Sequence, residues 1–323
     1  MLILVATLAG IIPMVIYAWF LYLIDRHERE PLLLVVLVFL WGFVPAALLS
    51  LISQLVFSVP FLFIDGSGAL AQTVGAVVLA PITEEIFKGV AVALIFLFVR
   101  SEFDSVLDGI VYGAMVGFGF AAVENILYFS TTDVDLGTLV LLRAVLFGLN
   151  HAFYTSLIGI GFGVAKFART PLVRWGAPAA GLLGAMLVHA FHNGTLVLTG
   201  AVPVLFLLTI VGDYLGILIV FVTILVVLRK ERTWIVTQLE EEIAAEVLSQ
   251  QQYQIIASPT QRMLSRTAAL FNGGPRRWIV TGRYYAALVD LAYKKHAHAR
   301  VGGDPQQIAA LRERAAAFGA ELA

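Results

Sequence analysis

Residues 69–99 read ALAQTVGAVVLAPITEEIFKGVAVALIFLFV. The run is longer than the roughly 20 apolar residues that cross a bilayer core, yet Glu84, Glu85 and Lys88 stand at its middle. A charge there costs roughly 2.5–3.5 kcal/mol on the insertion scale, so each is a functional candidate by default. The sequence on either side makes the membrane reading the natural one. Six further apolar stretches occupy 1–24, 32–63, 109–129, 136–167, 175–198 and 201–228. The 323-residue chain is 60% hydrophobic and 13% charged, where a soluble domain carries about 25% charge. The expected fold is therefore all-α, a polytopic transmembrane helix bundle of about seven spans.

Charge is unevenly distributed. Residues 229–323 hold 13 of the 21 Lys and Arg, and residues 1–228 hold the other 8. This divides the chain into a membrane domain, 1–228, and a soluble helical tail, 229–323. The net charge of −1 carries no signal, and no nucleic-acid partner is expected. Absence of cysteine excludes disulfides, a thiol nucleophile and thiolate metal sites. Met1-Leu2-Ile3-Leu4 has no basic region before its apolar run, so 1–24 reads as a permanent span rather than a cleaved signal. Pro45 and Pro81 are expected bend points.

Basic residues alternate between connections. Arg26 and Arg29 lie in the first, Arg100 in the third, Lys166, Arg169 and Arg174 around the fifth, and Arg229, Lys230 and Arg232 after the last span. The second, fourth and sixth connections have none, and carry Asp65, Asp133 and Asp135 instead. This pattern predicts an external N-terminus and a cytoplasmic C-terminus in the plasma membrane. In the tail, 234–252 reads as an acidic amphipathic helix. Residues 283–299 and 305–319 read as a helical hairpin broken at Gly302-Gly303-Asp304-Pro305. His296 and His298, among Lys and Arg, are expected to be solvated.

Several spans besides 69–99 carry ionisable groups: Glu124, then Arg143 and His151, then His189 and His192, then Asp213. At about 1.5 Å rise per residue, Glu84 and His151 fall at their span midpoints. On the same measure Glu124 lies about 7 Å and His189 about 4 Å outward of theirs. Glu84 with Lys88, His151 with Thr155, and His189 with Asn193 are i,i+4 pairs, each on one helix face. Arg143 and Asp213 are expected to bridge helices, pairing with each other or with Lys88. Gly109, Gly113 and Gly117 recur every four residues, a pattern for close helix packing.

A carboxylate in a dry cavity can act as a general base, and imidazoles with an Asn amide can hold a water or stabilise an oxyanion. Two His plus a carboxylate (Glu124, His151 and His189) also match a zinc site with an open position. The residues alone leave the metal and metal-free versions open. There is no His-Glu-x-x-His, no Gly-x-Ser-Gly, and no second intramembrane Asp beside Asp213 for an aspartyl mechanism.

Five motifs stand in order between about residues 80 and 195. They are Glu84-Glu85-Ile86-Phe87-Lys88; Glu102-Phe103-Asp104-Ser105-Val106-Leu107-Asp108-Gly109-Ile110-Val111-Tyr112-Gly113; Gly119-Phe120-Ala121-Ala122-Val123-Glu124-Asn125; His151-Ala152-Phe153-Tyr154-Thr155; and His189-Ala190-Phe191-His192-Asn193. Together they resemble the PrsW family of intramembrane proteases, which looks related to the type II CAAX prenyl endopeptidases and to bacteriocin-immunity membrane proteases. The resemblance implies a catalytic pair at Glu84 and Glu85 with the following basic Lys88. It adds Glu124 with Asn125, a mid-span His151, and His189 with Asn193. Glu124 stands where CAAX-type relatives usually place a His, and His192 falls at a variable, often aromatic, place. It further implies hydrolysis of a peptide bond in or near the membrane. The substrate would be a single-span protein, as one member type cleaves an anti-sigma factor on its outer side. The tail lies outside the resemblance and is expected to be a regulatory or partner-binding module in the cytosol. The competing readings are a proton-coupled transporter or channel and a non-catalytic scaffold presenting the tail.

Overall fold

The computed structural model of the chain describes residues 2–131, 134–302 and 304–322. Met1, Asp133 and Gly303, which entered the readings of the first span, an outer connection and the tail break, lie outside the described residues. Every regular element among the described residues is helical. In order these are α1 (Leu2–Ile24), α2 (Leu32–Trp41), α3 (Ala47–Ile64), α4 (Ala69–Val74), α5 (Ala80–Phe98), α6 (Val106–Thr131) and α7 (Leu136–Leu139). They continue as α8 (Asn150–Lys166), α9 (Pro171–Thr199), α10 (Val204–Ala244), α11 (Gln250–Ile256), α12 (Pro259–Val301) and α13 (Pro305–Leu322). The chain divides into two compact units, one of Met1–Ile24 and Glu30–Ile224, the other of Asp25–Arg29 and Leu225–Ala323. The boundary falls inside α10.

Six helical runs are long and apolar enough to cross a membrane: Ile3–Ile24, Leu32–Ile64, Val106–Thr131, Leu136–Lys166, Pro171–Thr199 and Val204–Ala244. The expected seventh, 69–99, is helical as α4, a π-helical turn at Gly75–Leu79, and α5. It is not among the six. Its Glu84, Glu85 and Lys88 are buried together with Ala91, Val92 and Ile95, so this helix is shielded by protein rather than by its own apolarity.

α6 is the axis of the first unit. In its most apolar stretch 89% of residues are buried, against 11–33% in the other five. Those five turn Leu, Ile, Val and Phe side chains outward, as lipid-facing helices must where no water can satisfy polar groups. The glycine repeat sets how closely α8 approaches α6. A Cβ on Gly109, Gly113 or Gly117 would run into the carbonyls of Gly159, Thr155 and His151 respectively. His151, a candidate site residue, is thus seated on a bare glycine.

Three π-helical segments interrupt the long runs: Gly42–Ala46, Gly75–Leu79 and Val140–Leu146. Pro45 lies inside the first, and Pro81 follows the second at the start of α5. The third contains no Pro and is followed by a break at 147–149. His151 therefore sits in the first turn of α8, not in mid-helix as the apolar run 136–167 suggested.

In the second unit α10, α11, α12 and α13 surround a core that includes Leu239, Leu248, Ile256, Tyr284, Leu288 and Leu291. Buried Glu242 is held by Lys295 at 2.7 Å and by Arg312 through two 2.7 Å contacts. The last apolar run was expected to end at 228, but its helix continues to Ala244. Arg229, Lys230 and Arg232 end the hydrophobicity, yet Arg and Lys are good helix formers. The expected helix 234–252 is broken instead near Glu246, whose φ is 58°. α11 then restarts from a capping box on Ser249 and Gln252. His296 is not solvated: its ring stacks on Trp234 with centroids 4.1 Å apart.

Candidate active site

α5, α6, α8 and α9 bring their ionisable groups to one place. One donor atom from each of Glu84, Glu85, His151 and His189 lies within 4.8 Å of the others. Lys88 stands among them, fully buried. Its ammonium is 2.8 Å from Glu85 Oε1, 3.3 Å from Glu84 Oε2 and 2.9 Å from His151 Nδ1. The i,i+4 pairing with Glu84 is present, but the shorter contact is the i,i+3 pairing with Glu85. Two adjacent carboxylates in a dry interior need such a counter-ion. The Phe120 ring covers Lys88 from 3.9 Å.

The network assigns the imidazole protons. An ammonium has only donors, so His151 Nδ1 accepts from Lys88. His151 Nε2–H then donates to Glu124 Oε2 at 2.7 Å. Arg143 holds the same Glu124 oxygen at 2.7 Å and donates from Nε to Asn125 Oδ1 at 3.2 Å. His189 Nδ1 lies 3.0 Å from Glu85 Oε1. Its ring stacks on that of Tyr154, with centroids 4.8 Å apart and planes at 22°.

Glu84, Glu124, Asn125, His151, His189 and Asn193 all line a cavity of about 690 Å³. Glu85 and Lys88 do not line it and form the layer behind. The adjacent glutamates therefore differ in access, as a rotation of about 100° per residue requires. Glu84 faces the cavity, while Glu85 ties Lys88 to His189. The Nδ2 of Asn125 is buried with no hydrogen-bond partner among the described residues. Asn193 lines the cavity but commits one amide hydrogen to the Ala76 carbonyl at 2.8 Å.

Several sequence expectations need revision. Arg143 and Asp213 do not pair with each other or with Lys88. Arg143 pairs with Glu124, and Asp213 accepts from Asn150 at 2.9 Å and meets His192 Nδ1 at 2.7 Å. Glu124, expected with His151 and His189 as a metal ligand, is not in the four-residue donor group; it meets His151 at Nε2, the ring nitrogen opposite the one that faces Lys88, and the same oxygen is held by Arg143. Three neighbours, Gln54, Tyr154 and Asn150, were not anticipated. Gln54 of α3 donates to Glu84 at 3.3 Å, and Tyr154 packs against His151 and His189. Asn150 and Asp213 complete a second polar cluster with His192. Gln54 was the visible one of these, a lone amide in a very apolar span.

Two imidazoles and two carboxylates suit a zinc-type ion. Glu84, Glu85, His151 and His189 would hold it. Lys88 touches three of those four side chains, so its ammonium stands where such an ion would sit and would have to withdraw.

Fold and site together define a polytopic helical membrane protein with a buried carboxylate–imidazole centre of the kind that activates water. Comparison with known proteins agrees. Residues 30–228 match the model of the PrsW family intramembrane metalloprotease. Protease PrsW of Geobacillus kaustophilus (strain HTA426) is 35% identical over 162 residues, which cover 50% of this chain and 66% of that protein, just under two thirds of its length. Protease PrsW of Oceanobacillus iheyensis is 30% identical over 219 residues, 64% of this chain and 92% of that protein. That of Bacillus subtilis (strain 168) is 32% identical over 176 residues, 52% of this chain and 72% of that protein. No solved structure matches. The chain belongs to the PrsW family of intramembrane metalloproteases, a family of membrane-embedded hydrolases.

Proposed function

We propose that this chain is an intramembrane endopeptidase cutting one peptide bond of a single-span membrane protein, an anti-sigma factor or similar regulator, in the outer half of the bilayer. The observation that carries this is Glu84 facing the cavity with Glu85, Lys88, His151 and His189 packed behind and beside it. Residues 1–228 are the protease domain and 229–323 the cytosolic tail.

In this reading Glu84 is the general base. It takes a proton from a cavity water as the water oxygen attacks the scissile carbonyl carbon. The C–N bond then breaks, and the proton held on Glu84 passes to the leaving amine, giving one new carboxylate and one new amine. Lys88 balances the charge of the glutamate pair. His189, fixed by Glu85 and Tyr154, presents Nε2 toward the water. Asn125 Nδ2, which lacks an acceptor among the described residues, is the donor for the developing oxyanion. Arg143 holds Asn125 by its oxygen and so keeps the amide hydrogens pointed away from itself. A zinc-type ion held by Glu84, Glu85, His151 and His189 would take the place of the Lys88 ammonium and supply Lewis-acid polarisation in its stead.

The transporter reading draws on one feature, the helix break at 147–149. That break presents His151 to Lys88 and Glu124 in a closed set of hydrogen bonds, and the family match is to proteases.

The test is reconstitution. Purified protein with a single-span model substrate should release two fragments whose new termini map inside the substrate's span. Intact substrate under all conditions would defeat the proposal. Reporter fusions at 66 and 200 should be external and one at 240 cytoplasmic. The opposite signs would invert the orientation.

A further inference from the structure

α12 is not one straight helix. Gly274, with φ 74° and ψ −174°, breaks it, and Pro275 restarts it. The arms fold back on each other. Ser265 Oγ meets Tyr285 OH at 2.6 Å, and the Arg266 guanidinium lies 4.0 Å over the Trp278 ring. The first pair is symmetric about residue 275 and the second also joins the two sides of the break, so the segment is a helical hairpin with its tip near Gly274.

The outer side of this hairpin is exposed and apolar. Met263 and Leu264 are 63% and 53% exposed, and Phe271 at the tip is 82% exposed. Met263, Leu264 and Phe271 are spaced i, i+1 and i+8, one stripe along the first arm. Ile279, on the second arm, is 42% exposed. A soluble surface rarely keeps such a stripe without a partner.

The charge around it has one sign. No Asp or Glu occurs between Glu246 and Asp290, and five Arg do, including Arg276 and Arg277 just past the break, where Arg277 also donates to the Leu322 carbonyl at 3.1 Å. The base of the first arm is also placed. Arg262 is buried and donates to the carbonyls of Arg26 at 3.0 Å and His27 at 3.1 Å. Asp25–Arg29 directly joins two apolar spans, so it lies where the chain leaves and re-enters the bilayer. Aromatic and aliphatic residues beside Arg, on a helix tied to a membrane-edge connection, have the chemistry of an interfacial anchor.

We propose that the α12 hairpin lies in the headgroup layer of an anionic membrane. The stripe from Met263 to Phe271 would enter the acyl boundary, with Arg276 and Arg277 on lipid phosphates. The tail would then be a membrane-surface module whose attachment responds to lipid charge. This does not depend on the catalytic reading.

The absence of native cysteine makes the test clean. The full chain carries a nitroxide at Phe271→Cys, at Leu264→Cys (which retains Phe271), or at the exposed control Gln306→Cys. It is reconstituted into phosphatidylcholine vesicles with or without phosphatidylglycerol. Collisions with oxygen and with a water-soluble nickel chelate report depth. Labels at 264 and 271 should be shielded from nickel and open to oxygen when phosphatidylglycerol is present, while 306 stays open to nickel. Arg276→Gln with Arg277→Gln should shift the docked-to-undocked ratio about 30-fold toward undocked, from roughly a factor of five per charge. The proposal is overturned if 271 remains as open to nickel as 306. It is equally overturned if 264 and 271 are shielded regardless of lipid charge and of the two Arg changes. In that case spin–spin broadening that grows with protein-to-lipid ratio would identify a second copy as the cover, and its absence a surface of the same chain.

Discussion

The side-chain amide of Asn193 donates a 2.8 Å hydrogen bond to the carbonyl of Ala76. That carbonyl is orphaned by the sequence. In the π-helical turn the Ala80 N–H bonds the carbonyl five residues back, Gly75. The next donor in that register would be residue 81, a proline without N–H. Asn193 thus caps a gap made by Pro81 and pins α9 to the helix that carries Glu84. Asn193→Ala should cost about 1 kcal/mol for the hydrogen bond lost from the half-buried Ala76 carbonyl. Pro81→Ala restores the missing donor, so the double variant should regain much of the loss in a thermal-unfolding cycle. Strict additivity of the two changes would show that the amide acts elsewhere.

Gly117 carries the backbone of His151. Gly117→Ala forces α8 away from α6 and takes His151 from Lys88 and Glu124. Overpacking of this kind costs roughly 1–3 kcal/mol, and turnover should fall more than stability does. Gly176, with nothing within 4 Å of a built Cβ, is the control position for the same change. Equal effects at both positions would refute the seating of His151 on Gly117.

Lys88 and a metal ion compete for one place. Lys88→Met removes the ammonium from Glu84, Glu85 and His151 while keeping an apolar stem. Zinc titrated into metal-free protein should bind this variant more tightly than the wild type by calorimetry. Identical affinities would place any metal away from the four-residue group.

The second unit should respond to acid through His27. Burial, and then the Arg262 guanidinium beside it, hold its imidazole down at about 4, against the usual value of about 6.5. Between those values the unfolded state binds more protons than the folded one. Stability from this site is therefore complete above pH 6.5 and lost as pH falls toward 4. The loss at pH 5 is about 2 kcal/mol. His27→Gln should flatten the pH dependence of proteolytic cleavage at 25–29 between pH 7 and 5. An unchanged slope would show that another group controls it.

The buried charges were readable because an apolar run has no other reason to hold them. Glu84, Lys88, His151 and His189 stand out for that reason alone. Their partners were harder to read, because a pairing such as His192 with Asp213 joins helices whose rotation no single segment records. Proline marked two of the three π-helical segments. The one at Val140–Leu146 has no proline, so the break that places His151 in a first helical turn left no local sign. Glu124 read as a ligand because its type and depth suit one, and only the position of Arg143, 19 residues on, shows its carboxylate to be engaged. The tail's hydrophobic hairpin was missed because its apolar residues are spaced among Arg, a pattern that reads as solvated until exposure is known.

The central claim is that Glu84 is the base facing the cavity. Glu84→Gln keeps its volume and one acceptor oxygen for Lys88 while removing basicity. Cleavage of a single-span substrate by reconstituted wild type and variant is the direct measurement, with thermal unfolding of both samples alongside. The account predicts that turnover falls by at least about 10² while the variant inserts, purifies and unfolds like the wild type. Turnover that survives in the variant, with lowered thermal stability instead, would mean that Glu84 only bridges helices and would contradict the account.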